Sequence, residues 1–335
     1  MVTRGVEGVE TRMIGRDHEL GMLQDAYLDA MEDGQTRVVT VTGEAGVGKS
    51  RLLYEFDNWI ELRPEVLTYF KGRGTPNTQN VPLGVWRDLF AFRFDILDSD
   101  SAAVAMQKFQ SGTAAYIEPD QAVIVGHWLG FDFSSDIAVR NLLGGSDFAE
   151  TARVYLTRYF RSVLAAGPAV ILLEDIHWAD DPSLDVAAHL PTAIPEARLL
   201  IVAVTRPSLF ERRPGWSEGE AALRMVRLAP LTRRASRALV EEVLQRVDDI
   251  PANLRDLIVD GAEGNPFYIE ELVKMLIEQG VIETALGGDL ADKDGARDVW
   301  QVRADRLAGL KVPPTLTALL QARLDGLPSD ERKAL

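Results

Sequence analysis

Short runs of consecutive apolar residues alternate, over the first 230 positions, with stretches in which apolar side chains recur every three or four residues. Such runs are typical of strands buried on both faces, and the periodic stretches are typical of amphipathic helices. Alternation of the two predicts an α/β fold with a parallel sheet between helices. The predicted strands are Val38–Val41, Val66–Gly74, Ala169–Leu173, Leu199–Val204 and an edge strand, Met225–Leu228; the predicted helices between them include Asp17–Gly34, Phe148–Ala165 and Leu184–Leu190.

The pattern changes at three places along the chain. Residues 1–11 are polar and glycine-bearing, which predicts a linker or tail. Residues 75–150 mix short helical patterns with glycine and proline, and we expect a helical insertion there. After Pro230 the predicted strands stop. We therefore expect a sheet domain over 12–230, an all-helical domain over 231–310 and the start of another domain over 311–335. The helical patterns that support this are Trp86–Phe94, Ala102–Phe109, Gln121–Leu129, Arg234–Arg246, Pro251–Asp260, Pro266–Gln279 and Thr315–Leu324.

The segment that joins the first strand to the next helix, Gly43–Ser50, reads GEAGVGKS and matches G-x-x-x-x-G-K-[ST]. A loop that wraps a phosphate must point several backbone N–H groups inward, which requires glycine conformations and no Cβ in the way. Lys49 is expected to reach the β- and γ-phosphates, and Ser50 to ligate Mg²⁺, at the N-terminus of a helix. The alternative, a glycine-rich turn with an incidental lysine, does not explain the flanking strand and helix. The segment therefore predicts binding of ATP or ADP.

A second apolar strand ends in acidic residues, in the sequence AVILLEDIHWADD that starts at Ala169. Carboxylates at the C-terminal edge of a parallel sheet lie on the side where the phosphate loop is expected. One acid is expected to hold Mg²⁺ and the other to polarise the attacking water. We assign Glu174 to the metal and Asp175 to the water, although the opposite assignment and a plain strand exit remain alternatives.

Four further residues near the strand ends can be interpreted. Arg206, after the strand Leu199–Val204, is expected to sense the γ-phosphate, with a surface arginine as the alternative. His177 is more typical of a packed residue than of a catalyst. Asp180 and Asp181 precede Pro182, which is favoured in the first turn of a helix, and they predict an N-cap.

Composition narrows the possible functions of the chain. The 335 residues include no cysteine, which excludes disulfides and thiolate chemistry and fits a cytoplasmic location. No apolar run is long enough to span a membrane. The net charge of −15 argues against direct nucleic-acid binding by this segment, whereas the local field of the loop decides whether ATP binds.

Taken in order, these motifs resemble the signal-transduction ATPases with numerous domains, called STAND ATPases, a branch of the P-loop NTPases. MIGRDHEL at Met13 is similar to the family's opening motif near adenine and ribose, LAPLT at Leu228 to the entry into its helical lid, and EGNPFYIEEL at Glu263 to its Gly-x-Pro motif. The segment VPPTLTALLQARLDGLP at Val312 is similar to the start of its winged helix. Glu174 departs from the aspartate that many relatives carry. The resemblance implies nucleotide contacts by Ile14, Gly15, Arg16, Gly43, Glu44, Ala45, Gly46, Val47, Gly48, Lys49, Ser50, Arg51, Pro230 and Pro266.

The resemblance implies a regulatory module within a longer multidomain protein, with flanking regulatory domains as partners. We expect a switch that binds ATP with Mg²⁺ and hydrolyses it slowly, because no arginine finger can be assigned within one chain. Two alternatives stay open. One is a nucleotide-locked scaffold without turnover. The other is an oligomeric remodelling ATPase that takes arginines from a neighbouring copy, for which Arg212–Arg213 and Arg233–Arg234 are candidates.

Overall fold

The computed structural model describes residues 5–6, 9–143, 147–217, 223–284 and 299–307. The chain divides into two units. The sheet unit consists of residues 19–43 and 56–227, and the helical unit consists of residues 1–18, 44–55 and 228–335. The helical unit is therefore assembled from three separate stretches of sequence, one of which contains most of the phosphate loop.

The described residues contain nine strands and thirteen α-helices. The strands are β1 (Gly5–Val6), β2 (Val9–Glu10), β3 (Arg37–Thr42), β4 (Thr68–Arg73), β5 (Ala169–Glu174), β6 (Leu199–Thr205), β7 (Leu223–Arg227), β8 (Ile282–Glu283) and β9 (Gln301–Val302). The helices are α1 (Asp17–Asp33), α2 (Lys49–Glu61), α3 (Gly84–Arg93), α4 (Ala102–Thr113), α5 (Pro119–Trp128), α6 (Ile137–Leu143), α7 (Phe148–Ala166), α8 (Asp181–Ala193), α9 (Ser208–Arg212), α10 (Arg233–Val243), α11 (Ala252–Ala262), α12 (Pro266–Glu278) and α13 (Ala304–Leu307). None of the helices in this part of the chain is long and apolar enough to cross a membrane.

The sheet unit is built on five parallel strands in the order β4-β5-β6-β3-β7. All seven residues of β6 and five of the six in β5 are buried, as expected for strands covered on both faces. The predicted edge strand is confirmed, since β7 pairs with β3 and ends the sheet within the described part of the chain. All five sheet strands were predicted to within about two residues because each is a short apolar run.

Helices of the 75–150 region share the core of the sheet unit. Phe90 of α3 lies 6.4 Å from Phe70 of β4 between ring centroids, and Phe109 of α4 lies 5.5 Å from Phe90. The ring contacts from Phe70 to Phe90 and from Phe90 to Phe109 thus make the core of these helices continuous with the core of the sheet. Helix α6 was not predicted, because its seven residues bury only Val139 and give no clear periodicity.

The helical unit has its own core, formed by α10, α11 and α12 with buried residues such as Val240, Ile258 and Leu272. Two features differ from the sequence expectation. Residues 5–6 and 9–10 are paired as antiparallel strands with Val6 and Val9 buried in this core, rather than a polar tail. After Pro230 the unit is not all-helical, since β8 and β9 pair antiparallel. These strands of two residues are too short to produce an alternating pattern.

The predicted domain boundaries stay predictions. The winged-helix prediction over 311–335, with its helix Thr315–Leu324, lies outside the described residues.

Candidate functional site

The phosphate loop has the backbone geometry that its glycines predict. Gly46 has φ of +80° and Gly48 has φ of +99°, both in the left-handed region that L side chains rarely adopt. A Cβ built on Gly46 would lie 2.5 Å from Oδ1 of Asn265. A side chain at Gly46 would therefore meet Asn265, and a glycine here lets α12 pack closely against the loop.

Lys49 and Ser50 begin helix α2 directly after this loop. The Lys49 side chain is buried, and its Nζ donates a hydrogen bond to the carbonyl oxygen of Glu44 at 2.8 Å. The ammonium thus folds back over the loop, with three N–H donors to share. Ser50 is exposed in the first turn, while the neighbouring Val47 is buried and anchors the loop. The arrangement leaves the hydroxyl at an accessible helix N-terminus.

Helix α12 begins on the phosphate loop. The backbone N–H of Phe267 donates to the carbonyl oxygen of Gly46 at 3.2 Å, and Nδ2 of Asn265 donates to that of Ala45 at 3.0 Å. Oδ1 of Asn265 accepts the N–H of Tyr268 at 3.3 Å, so the same side chain caps α12. Cγ of Pro266 lies 3.9 Å from a Cβ built on Gly48. The turn Asn265–Phe267 therefore packs against the phosphate loop and fixes two of its carbonyl groups by hydrogen bonds.

Arg16 holds the loop from a second direction. It is buried, and its Nη2 donates to the carbonyl oxygens of Val47 at 3.0 Å and Ala229 at 2.5 Å. Gly15 before it has φ of +68°, and a Cβ there would lie 2.9 Å from Cβ of Ala235. This glycine lets the chain pass α10 and deliver Arg16 to the loop. Ile14 is half-buried against the core of the helical unit.

The other predicted nucleotide residues of the helical unit have structural contacts as well. The N–H of Leu231, next to the exposed Pro230, donates to the carbonyl oxygen of Gly264 at 2.7 Å. Arg51 donates to the carbonyl oxygen of Thr11 and pairs with Glu55 at 2.7 Å. The helical unit thus gathers every predicted nucleotide residue except Gly43, which belongs to the sheet unit and follows β3.

This geometry fits a nucleotide phosphate. The two left-handed glycines, the buried lysine and the helix N-terminus are the elements that cradle an anion.

In the sheet unit, the two predicted catalytic carboxylates lie at the C-terminal end of β5, and each is ion-paired. Oε1 of Glu174 lies 2.8 Å from Nζ of Lys71, and Oδ2 of Asp175 lies 3.0 Å from Nη2 of Arg73. Asp175 has φ of +52°, an uncommon conformation for a residue other than glycine. Sequence reasoning missed both cations. Lys71 and Arg73 stand two residues apart in TYFKGR, which indicates that both side chains lie on one face of the strand. Their carboxylate partners follow only from the register of β4 with β5, which brings Arg73 opposite Glu174.

The Lys71 side chain also connects Glu174 to a second carboxylate. Its Nζ lies 3.6 Å from Oδ2 of Asp57, and the hydroxyl of Tyr69 donates to Oδ1 of Asp57. Burial raises the pKa of Asp57, although the Tyr69 hydrogen bond and Lys71 act in the opposite direction. Burial, followed by the nearby Asp57 charge, also raises the pKa of Tyr69. The Lys71 charge is therefore shared between two carboxylates.

The order of the strands sets the spacing of Gly43, Glu174 and Arg206 along the C-terminal ends of the sheet strands. β6 lies between β3 and β5, so Arg206, which follows β6, is interposed between Gly43 and Glu174. With about 4.8 Å between neighbouring strands, β3 and β5 are separated by roughly 10 Å. Arg206 is half-buried at this edge.

Among the described residues there is no group of three His, Cys, Asp or Glu side chains able to hold a metal ion. Mg²⁺ in triphosphate sites is usually held by one or two carboxylates together with substrate phosphates and water, and Glu174 and Asp175 are side chains of that chemistry.

The two interpretations after Asp175 can be compared with the structure. His177 is buried with its ring 5.1 Å from that of Trp178, as expected for a packed residue. Asp180 is the N-cap of α8 and accepts the N–H of Ser183 at 2.9 Å, which confirms the capping prediction. Its carboxylate also accepts the N–H groups of Leu83 and Gly84, so it fixes the start of α3.

Comparison with known proteins agrees with this geometry. The family described as AAA ATPase domain matches residues 12–202, more than half of the chain. The chain belongs to this family. Residues 232–287 match a second family, described as a domain of unknown function. The sequence prediction of a P-loop ATPase, with a parallel sheet between helices and a helical C-terminal region, is confirmed. An ATPase family implies nucleotide binding, usually with Mg²⁺.

One curated relative is an uncharacterized protein of Rhizobium meliloti (strain 1021), 28% identical over 335 residues. The match covers 92% of this chain and 31% of the relative, so the chain spans less than a third of that protein's length.

Two solved structures are also similar. The Aeropyrum pernix ORC1 protein, in complex with DNA, gives a TM-score of 0.49 at 14% identity over 96% of this chain and 71% of that chain. A STAND protein with a tetratricopeptide repeat sensor from Pyrococcus horikoshii gives 0.41 at 14% identity over 98% and 34%. Both TM-scores are low, and neither likeness bears on function.

Proposed function

We propose that this AAA ATPase domain is a regulatory switch of the STAND type that binds ATP with Mg²⁺ and hydrolyses it slowly. Its ligand is ATP or ADP, and its partners are regulatory domains of a longer signalling protein. The observation that carries this proposal is the attachment of α12 to the phosphate loop through Asn265 and Phe267. Because both bonds end on loop carbonyls, a nucleotide that reshapes the loop also changes the contacts of α12.

In this proposal each predicted residue has one role. Backbone N–H groups of the loop and Lys49 bind the phosphates, Ser50 and Glu174 hold Mg²⁺, Asp175 orients the attacking water, and Arg206 senses the γ-phosphate. Bound Mg²⁺ neutralises charge that develops on the phosphates. Arg16 acts mainly by positioning the loop, since its guanidinium donates to two main-chain carbonyls. Adenine is proposed to lie near Ile14, Pro230 and Pro266.

The test is whether the bound nucleotide changes the protection of α12 from hydrogen exchange. A ligand shifts an equilibrium only through different affinities for two states. We expect hydrogen exchange at the start of α12, including the Phe267 amide, to differ between ADP and a non-hydrolysable ATP analogue. Lys49→Ala is the control and should show no such difference at the same nucleotide concentrations. Identical exchange with the two nucleotides, both shown to be bound, would contradict the switch.

The ion pairs of Glu174 and Asp175 favour a second candidate, a nucleotide-locked scaffold without turnover. Both carboxylates are neutralised by cations from β4. Phosphate release distinguishes the two functions. A switch requires release that falls in both Asp175→Asn and Lys49→Ala. A locked scaffold predicts background release in all three proteins, with tight nucleotide binding retained by the wild type.

The contacts of three of the four candidate arginines give no support to the oligomeric remodelling ATPase. Arg212 donates to the carbonyl oxygen of Ala179, Arg213 pairs with Asp181 at 3.0 Å, and Arg233 pairs with Asp260 at 2.6 Å. These side chains are used within one copy.

A further inference from the structure

A groove of about 950 Å³ lies in the sheet unit beside strand β4. Three segments line it: the end of α2 with the loop that follows, strand β4, and the second half of α3 with the loop after it. It has no role in the proposed function, although Lys71 and Arg73 lie on its wall.

The floor of the groove is an open sheet edge. The N–H of Thr68 donates to the carbonyl oxygen of Pro168, and the N–H of Gly74 donates to the main-chain carbonyl oxygen of Glu174. Even-numbered residues of β4 therefore turn their backbone N–H and C=O groups toward β5. Odd-numbered residues therefore turn theirs outward. The outward N–H of Arg73 is bonded to Asp88 at 2.7 Å. Those of Leu67, Tyr69 and Lys71 have no backbone partner among the described residues, and all three line the groove.

Apolar side chains are exposed around this edge. Val66 is 93% exposed, Phe92 57% and Leu97 54%. Three large apolar groups around one concave surface are typical of an interaction site.

The groove keeps an excess of negative charge after its own ion pairs are counted. Lys71 pairs with Glu174 and Arg73 with Asp175, and Arg63 lies 4.3 Å from the Trp59 ring centroid. The lining acids Glu61, Glu65, Asp95 and Asp98, in contrast, make no ion pair within the described part of the chain.

We propose that this groove binds an extended segment of a partner protein in which basic residues alternate with apolar ones. The segment joins the sheet as a strand beside residues 67–71, a length of about 17 Å. Its backbone bonds to the outward groups of Leu67, Tyr69 and Lys71, its apolar side chains cover Val66, Phe92 and Leu97, and its cations face the four acids. A second copy of this chain is disfavoured because two acidic rims would meet.

The probe is a short fluorescent peptide of alternating lysine and valine, titrated into nucleotide-free protein. We expect saturable binding, and about tenfold weaker binding to the double variant Glu65→Lys, Asp98→Lys, since each close charge pair contributes to affinity. Phe92→Ala should weaken it about fivefold. Glu196→Lys, an exposed acid elsewhere in the sheet unit, is the matched control and should leave affinity within about twofold. Equal weakening by Glu196→Lys, or no saturable binding, would overturn the proposal.

Backbone pairing is tested with two N-methylated versions of the peptide. Each carries methyl groups on alternate amides, so that one version blocks the donors facing β4 and the other does not. We expect the version that blocks the donors facing β4 to bind about tenfold more weakly, and the other version to bind like the unmethylated peptide. Equal behaviour of the two would exclude strand addition.

The absence of cysteine allows the site to be located. A dye on Val66→Cys should respond to the peptide, and a dye on Val154→Cys, on α7, should not. A response at Val154 alone would place the peptide elsewhere and refute the groove.

Discussion

The phosphate loop and the acidic end of β5 are held in place by different kinds of interaction. Around the loop, carbonyl oxygens of Ala45, Gly46 and Val47 accept hydrogen bonds from Asn265, Phe267 and Arg16. At the end of β5, Glu174 and Asp175 are held by ion pairs with side chains that are 34% and 60% exposed. Exposed ion pairs contribute roughly 0–1 kcal/mol each.

The two regions therefore differ in what substitutions should change: the backbone conformation of the phosphate loop, and the charge balance at the end of β5. The loop's shape is fixed by hydrogen bonds to three of its carbonyl oxygens and by the left-handed conformations of Gly46 and Gly48, as expected for a preorganised anion site. The Arg73 side chain is 60% exposed, so its pair with Asp175 contributes little to stability. Substitutions at the loop should therefore have large effects on nucleotide binding, and those near β4 should have small effects.

The largest effect is expected for Lys49→Ala. Loss of a charge-assisted contact to phosphate should weaken ATP binding by about 2–3 kcal/mol. Calorimetric titration measures it, with Lys108→Ala, which removes an ion-paired lysine from α4, as the control. Unchanged affinity in Lys49→Ala would mean that this lysine does not reach the phosphates.

Gly46→Ala should be next. The left-handed backbone costs about 1–2 kcal/mol for an L residue, and the new Cβ meets Asn265. We expect at least about tenfold weaker ATP binding. Gly21→Ala, in α1 with no atom near its Cβ, should instead gain about 0.5–1 kcal/mol of stability. Normal ATP affinity in Gly46→Ala would show that the loop is more adaptable than this comparison assumes.

Asn265→Ala should lower the free energy of unfolding by about 1 kcal/mol, through loss of the α12 cap and of the bond to Ala45. Asn265→Ser keeps a capping oxygen but lacks the amide donor. Urea unfolding should show partial recovery of stability in the serine variant, while hydrogen exchange in the loop stays raised in both. Full recovery of both properties would remove the Ala45 bond from the explanation.

The smallest effect is expected beside β4, in the pH dependence of stability. Because burial raises the pKa of Asp57, the folded chain binds this proton more tightly than the unfolded chain does. The wild type therefore loses stability as the pH rises from the ordinary Asp pKa through the raised value. Asp57→Asn should become more stable relative to the wild type over that window, by about 1.4 kcal/mol per unit of raised pKa.

Asp100 provides a control of opposite sign for this measurement. Its hydrogen bond from Lys108 lowers its pKa, so stability from this group is present above the ordinary Asp pKa and lost as the pH falls through the lowered value. Asp100→Asn should therefore lose stability relative to the wild type at neutral pH. The same pH trend in both variants would contradict the assigned causes.

The sequence predicted those features that depend on neighbouring residues. β5 and β6 are apolar runs, and the loop motif combines glycines with a lysine at fixed spacing. It did not predict contacts that depend on distant segments. Asn265 meets Ala45 across 220 positions, and the pairing of Lys71 with Glu174 requires the register of two strands. Val6 and Val9 looked like a tail because the core residues around them, including those of α12, are distant in sequence.

The attachment of the N-terminal strands has a mechanical consequence. β1 packs on α12, and Arg12 pairs with Glu242 of α10 at 2.8 Å. Tension applied to any polypeptide joined ahead of Gly5 would load α10 and α12 within a few residues, before it reached α1. A pull on this end of the chain would thus reach the helix whose first turn touches Gly46.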